Sequence, residues 1–229
     1  MPQNLLKRII TSFFLLSILF IINFSNTYIF ISSILILGLI ICFEANKLFL
    51  KTIGSNTLKN TGNLNKLNIR FLTLNIITFC YIFFIFCKYS YIIHLTLGPV
   101  FFLYVISICF FTDIGGYVFG KIIGGKKLTN ISPNKTISGT IGSFILGVFP
   151  LIIFAKLGYL NLEFNLKNIL YVFLVSLTSQ LGDLFVSYFK RKAKVKDTGK
   201  ILPGHGGVLD RLDGIIFAIP FSYLLLRFI

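Results

Sequence analysis

Residues 168–186 read NILYVFLVSLTSQLGDLFV and are followed by Ser187-Tyr188-Phe189-Lys190-Arg191-Lys192. The run is too continuously apolar for an amphipathic surface helix. It is long enough to cross a hydrocarbon core of ~30 Å as a helix, and a helix satisfies its own backbone in lipid. Six further runs share this character, at about 5–22, 28–43, 71–87, 91–111, 139–155 and 214–229. Mean hydropathy is +0.87. Only 13% of residues are charged, against about 25% in an average soluble protein. These values exclude an ordinary soluble globule and a disordered chain. The 229 residues hold about seven to nine spans at ~20 residues each plus loops. The expected fold is an all-α, polytopic membrane helix bundle with about seven (7–9) transmembrane helices. It is read as one membrane domain over 1–229.

Net charge is +15, from 22 Lys and Arg against 7 Asp and Glu. With the N-terminus cytoplasmic and the spans alternating, only Lys88, Lys156, Lys167 and Arg227 fall on the outer side. Every other Lys and Arg falls inside, as the positive-inside rule requires. Such an excess suits anionic lipid or phosphate. A nucleic-acid partner is not expected, because there is no soluble domain to carry a basic face. Cys42, Cys80, Cys87 and Cys109 lie in or beside apolar runs, without metal spacing or C-x-x-C pairing, and read as inert thiols. The first run follows Lys7-Arg8, as in a signal peptide. Asn23-Phe24-Ser25-Asn26-Thr27 offers no small-x-small cleavage site, so the run is expected to be a retained span.

The acids are unevenly placed. Residues 44–70 form an Asn-, Thr- and Lys-rich connector in which no chemistry is legible, and 1–111 as a whole reads as generic spans. Five of the seven acids lie in two cytoplasmic segments within 112–214, at 112–139 and 182–214; residues 214–229 form the last span. An acid at the end of a membrane helix is costly and usually has a partner or a function. If the helix quoted above continues, Asp183, Ser187, Lys190 and Arg191 stand at i, i+4, i+7 and i+8, on one face. The bland alternative is a snorkelling basic cap with a local Asp–Lys contact.

Downstream, Lys196-Asp197-Thr198-Gly199-Lys200 leads into Pro203-Gly204-His205-Gly206-Gly207-Val208-Leu209-Asp210-Arg211-Leu212-Asp213. The glycines allow backbone amides to approach an anion. His205 reads either as a phosphate donor or proton carrier, or as a turn residue. Asp210 and Asp213 share a face if a helix begins there. That placement suits a Mg²⁺–phosphate site, or simply the helix dipole. Upstream, Asp113-x-Gly115-Gly116-Tyr117 ends a run, where its small residues permit tight helix packing. Ser132-Pro133-x-Lys135-Thr136 opens the next run with a cation and hydroxyls at a helix N-terminus, a natural phosphate position. Walker A spacing is absent.

The pattern Ser187-x-x-Lys190-Arg191, Lys196-Asp197, Pro203-x-His205-Gly206-Gly207 and Asp210-Arg211-x-Asp213 resembles the signature of the phosphatidate cytidylyltransferases (CDP-diacylglycerol synthases). Gly182-Asp183 and the two upstream motifs fit as well. The motifs cover 113–214. Ile137-Ser138 and Val186 stand where the family pattern has Trp-Glu and Glu, and the N-terminus looks shorter than in typical members.

The resemblance implies transfer of CMP from CTP to phosphatidate, giving CDP-diacylglycerol and pyrophosphate. It also implies Mg²⁺, with K⁺ or a second Mg²⁺ as a further cation. Asp183 and Asp210 are expected to hold the metal, with Asp213 a ligand or orienter. Ser187, Lys190 and Arg191 are expected to grip phosphate; Lys135, Lys196 and His205 the triphosphate or the leaving pyrophosphate. Asp113, Ser132, Thr136, Asp197, Gly206, Gly207 and Arg211 complete the expected substrate-binding set. A homodimer in the bacterial cytoplasmic membrane, with the site facing the cytoplasm, is part of the same expectation. The nearest alternative is a CTP-dependent lipid kinase. A CDP-alcohol phosphotransferase lacks its D-G-x-x-A-R pattern here. An anion transporter would need paired polar residues at mid-membrane, where His94 is the lone ionisable residue well inside a run.

Overall fold

The apolar runs become helices because lipid offers their backbone no other partner. The computed structural model describes residues 2–57, 64–129, 132, 135–158, 160 and 162–228. Lys59, Pro133 and Asn134 lie outside the described residues. In chain order the helices are α1 Pro2–Asn23, α2 Thr27–Thr57, α3 Leu64–Cys80, α4 Lys88–Thr96, α5 Gly98–Ile122, α6 Ile137–Gly147, α7 Phe149–Leu157, α8 Leu166–Lys192, α9 Leu209–Leu212 and α10 Ile215–Leu225. A π-helical stretch, Tyr81–Cys87, joins α3 to α4. Among the described residues extended pairing is limited to two isolated bridges, Lys127 with Thr136 and Leu202 with Gly206.

Five helical segments are long and apolar enough to cross a membrane: Thr27–Ile53, Ile69–Thr96, Gly98–Ile122, Ile137–Leu157 and Leu166–Lys192. Ile10–Asn23 is a shorter apolar helix, and α10 spans only 11 residues with Pro220 inside it. All seven expected runs are thus helical, but their ends differ. The run expected to end at 43 continues as helix through Lys47 and Lys51. The run expected at 91–111 is interrupted at Leu97: residues 91–96 continue the preceding segment as the end of α4, and α5 starts at Gly98, which adopts φ +83° and is followed by Pro99 in the first helical turn. Lys88 therefore lies within a helical segment. Asp113, expected to end a run, is followed by nine more helical residues of α5.

The chain divides into two compact units, Met1–Tyr91 with Tyr188–Leu212, and Ile92–Ser187 with Asp213–Ile229. In the first, the short polar turn at Ser25-Asn26 makes α1 and α2 neighbours. Gly38 of α2 lies against Cys87 and Ile82, and Phe49 meets the ring of Phe189 edge-on at 5.3 Å.

In the second unit, α5 and α6 meet along glycines. A Cβ on Gly139 would lie 2.7 Å from the carbonyl oxygen of Gly116, and one on Gly115 would lie 2.9 Å from the carbonyl carbon of Gly142. This is small-residue packing, in which the missing side chains let two backbones touch. Thr112 donates to Ser176 at 2.9 Å, and Tyr104, Tyr171, Phe101 and Phe154 form an aromatic cluster. Gly182 of α8 lies against Asp213, Gly214 and Phe217.

Candidate active site

In the second unit two candidate residues, Lys135 and Ser187, meet Asp183. The helix does continue past the apolar run, so Ser187 is one turn on and donates to Asp183 Oδ1 at 3.3 Å. The other carboxylate oxygen pairs with Lys135 Nζ at 2.5 Å; the two side chains are 26% and 27% exposed. Lys135 reaches it from the loop before α6. That loop is folded by Leu128 N–H to Lys135 O (2.8 Å) and Ile137 N–H to Lys126 O (3.0 Å), with Lys135 N–H returning to Ser132 O at 3.1 Å.

Thr136 is the N-cap of α6, and its hydroxyl accepts from Gly139 N–H at 3.1 Å. The expected phosphate hydroxyl is thus engaged by the helix it begins. Asp113 is exposed on α5, and Asp213 is buried, with Oδ1 accepting from Gly214 N–H at 3.0 Å.

In the first unit the centre is Asp210. Lys190 Nζ bonds its Oδ1 at 3.0 Å, and the side chains are only 11% and 6% exposed. Its Oδ2 accepts from Thr198 N–H (2.7 Å), Thr198 Oγ1 (3.0 Å) and Gly207 N–H (2.9 Å). The partner of Lys190 in this pair is thus 20 residues downstream and not on its own helix. Lys194, at φ +53°, ends α8 in the left-handed conformation, and Val195 N–H closes on Lys190 O at 3.0 Å.

Gly204 (φ +77°) and Gly206 (φ +90°) make the turn that follows. Gly206 N–H bonds Leu202 O at 3.2 Å, so the amides of Gly206 and Gly207 organise the loop internally. His205 has Thr11 Oγ1 at 2.7 Å from Nδ1 and Ser12 Oγ at 3.1 Å from Nε2. Arg211 donates to His205 O at 2.8 Å. Arg191, Lys196 and Asp197 are exposed.

The sequence reading missed Glu44. It is 1% exposed and accepts from Thr198 Oγ1 (3.2 Å), Val208 N–H (3.1 Å) and Leu209 N–H (2.8 Å). The available signal was its place at the end of an apolar run, as one of only seven acids. Thr198, Thr11 and Ser12 carried no comparable signal.

Oxygen donors of this kind are what Mg²⁺ takes. Among the described residues no three His, Cys, Asp or Glu side chains gather closely enough to hold an ion. Mg²⁺ is commonly held by one or two carboxylates plus substrate phosphates, and Asp183 with its Ser187 hydroxyl fits that pattern.

Helices long and apolar enough to cross a membrane thus occur with two aspartate–lysine pairs, Asp183–Lys135 and Asp210–Lys190. The chain belongs to the cytidylyltransferase family, whose model matches residues 47–229. It is 48% identical over 127 residues to the phosphatidate cytidylyltransferase of Staphylococcus aureus (strain COL), covering 54% of this chain and 48% of that protein. It is 44% identical over 126 residues to that of Staphylococcus haemolyticus (strain JCSC1435), covering 54% and 48%. To the Helicobacter pylori (strain J99) protein of the same name it is 42% identical over 132 residues, covering 58% and 49%. The chain spans about half the length of the curated relatives it matches.

Proposed function

We propose that this chain transfers the CMP group of CTP to phosphatidate in a bacterial cytoplasmic membrane, with its site on the cytoplasmic face. The observation that carries this reading is the pairing of Asp183 with Lys135 and of Asp210 with Lys190 in a chain of the cytidylyltransferase family. A phosphate oxygen of the lipid attacks the α-phosphorus of CTP. The bond from that phosphorus to the β-bridging oxygen breaks, and pyrophosphate leaves. The lipid supplies the nucleophile, so the protein's work is positioning and neutralising two polyanions.

Lys135 and Ser187 beside Asp183 bind phosphate oxygens, and the exposed Arg191 and Lys196 draw the nucleotide in. Asp183 would hold Mg²⁺, with Asp213 orienting its surroundings. When bound, that ion offsets charge on the phosphates and polarises the attacked phosphorus. Asp210 is a second candidate for that ion, and it is surrounded by Lys190, the Thr198 and Gly207 amides and the Thr198 hydroxyl, whose one proton it shares with Glu44, so it also fixes Lys190 and the 197–207 loop.

The test uses purified protein in liposomes with phosphatidate and α-labelled CTP, with and without Mg²⁺. Mg²⁺-dependent label in the lipid with release of pyrophosphate is expected. Release of CDP without labelled lipid assigns the chain to lipid phosphorylation instead. Absence of nucleotide turnover overturns both.

A further inference from the structure

We infer that Glu44, outside the 47–229 family match, is a positioning residue for the reaction, a role that rests on the function proposed above. Glu44 reaches the signature loop from α2, more than 150 residues away in sequence. Its carboxylate takes the amides of Val208 and Leu209, where α9 begins, and so caps that helix from a different element. A buried carboxylate without such donors would be strongly disfavoured; supplied with them, it pins the backbone that donates. The seat is closely fitted. Side chains added at Gly199 or Gly207 would run into the Glu44 carboxylate, so both glycines serve its approach.

The coupling to Asp210 is direct. Thr198 Oγ1 lies 3.2 Å from Glu44 Oε2 and 3.0 Å from Asp210 Oδ2. Gly207, whose amide bonds Asp210, is adjacent to Val208, whose amide bonds Glu44. Glu44 thereby holds the strip of backbone that aims Asp210, and Asp210 in turn holds Lys190. Glu44 touches no substrate in this scheme; it acts through the loop.

The test compares Glu44→Gln, Thr198→Val and Thr198→Ser with the wild-type chain in liposomes. In Glu44→Gln an amide N–H₂ faces donors that need an acceptor. The expected result is a fall in kcat of roughly ten- to a hundredfold, the scale of a lost charged hydrogen bond, with KM for both substrates within about threefold. Thr198→Val is expected to lose turnover similarly, and Thr198→Ser, which keeps the hydroxyl, to recover most of it.

Hydrogen exchange is read on the same samples. Amide protection over 207–209 is expected to drop in Glu44→Gln while protection of α5 stays unchanged. Unaltered protection over 207–209 overturns the inference whatever the activity. So does a kcat within twofold of wild type, or a change confined to KM. If the wild-type chain fails to label lipid, the functional reading fails by itself, and the exchange result still decides whether Glu44 holds the loop.

Discussion

Asp183–Lys135 and Asp210–Lys190 are the same chemical pair in different settings. The first is about a quarter exposed, and its lysine arrives from a loop. The second is nearly buried, and its aspartate is surrounded by backbone and hydroxyl donors. An exposed pair contributes about 0–1 kcal/mol to stability, so its partners exchange for solutes at little cost. Breaking a buried pair costs about 3–5 kcal/mol, because one charge is stranded. The contrast separates a pair whose partners can exchange from a pair that shapes the loop beside it.

The largest effect is expected at the exposed pair, on rate. Asp183→Asn should lower turnover by about a thousandfold, the scale of a lost electrostatic contact to developing charge, with little change in melting temperature in detergent. Near-normal turnover would remove Asp183 from the chemistry. Lys190→Met comes next and moves stability. It leaves the Asp210 carboxylate without its counter-charge and should destabilise the fold by about 3 kcal/mol, read as a lowered unfolding midpoint. Equal stability losses in the two variants would erase the distinction between the pairs.

What was legible in the sequence follows from the physics of each signal. Apolar runs announce helices because lipid permits little else, so all seven runs are helical. Their ends were not legible where polar residues continue a helix. Lys47 and Lys51 extend α2 beside the buried Leu48 and Phe49, a tertiary stabilisation that hydropathy does not register. Helical spacing identified Asp183 with Ser187, because one turn is a local relation. It did not identify Lys190 with Asp210 or Lys135 with Asp183, since those pairs are made by the return of loops. Glu44 was legible as a costly acid but was read with the Asn- and Lys-rich connector around it, and its partners lie at the far end of the chain.

The glycine seam sharpens the comparison further, because α6 begins beside Lys135. In Gly115→Ala the new methyl meets the Gly142 backbone, which, unlike a flexible side chain, cannot swing aside. Overpacking of this kind costs about 1–3 kcal/mol. Thermal unfolding should fall accordingly, and turnover should fall with it, since α6 carries the loop that aims Lys135. Unchanged stability would mean that α5 and α6 are not in backbone contact.

The smallest expected effect separates a cap from a substrate ligand. Thr136 reads in the sequence as a phosphate hydroxyl, yet its oxygen accepts from Gly139 N–H and lies 3.1 Å from where a Cβ on Gly120 would stand. Losing an N-cap costs about 1 kcal/mol. Thr136→Ala should therefore lower the unfolding midpoint slightly and reduce turnover only as far as the start of α6 frays. A large loss of kcat at unchanged stability would return the hydroxyl to the substrate. Lys135, Thr136 and Ser187 would then all be phosphate-binding groups, and helix capping would be secondary to binding.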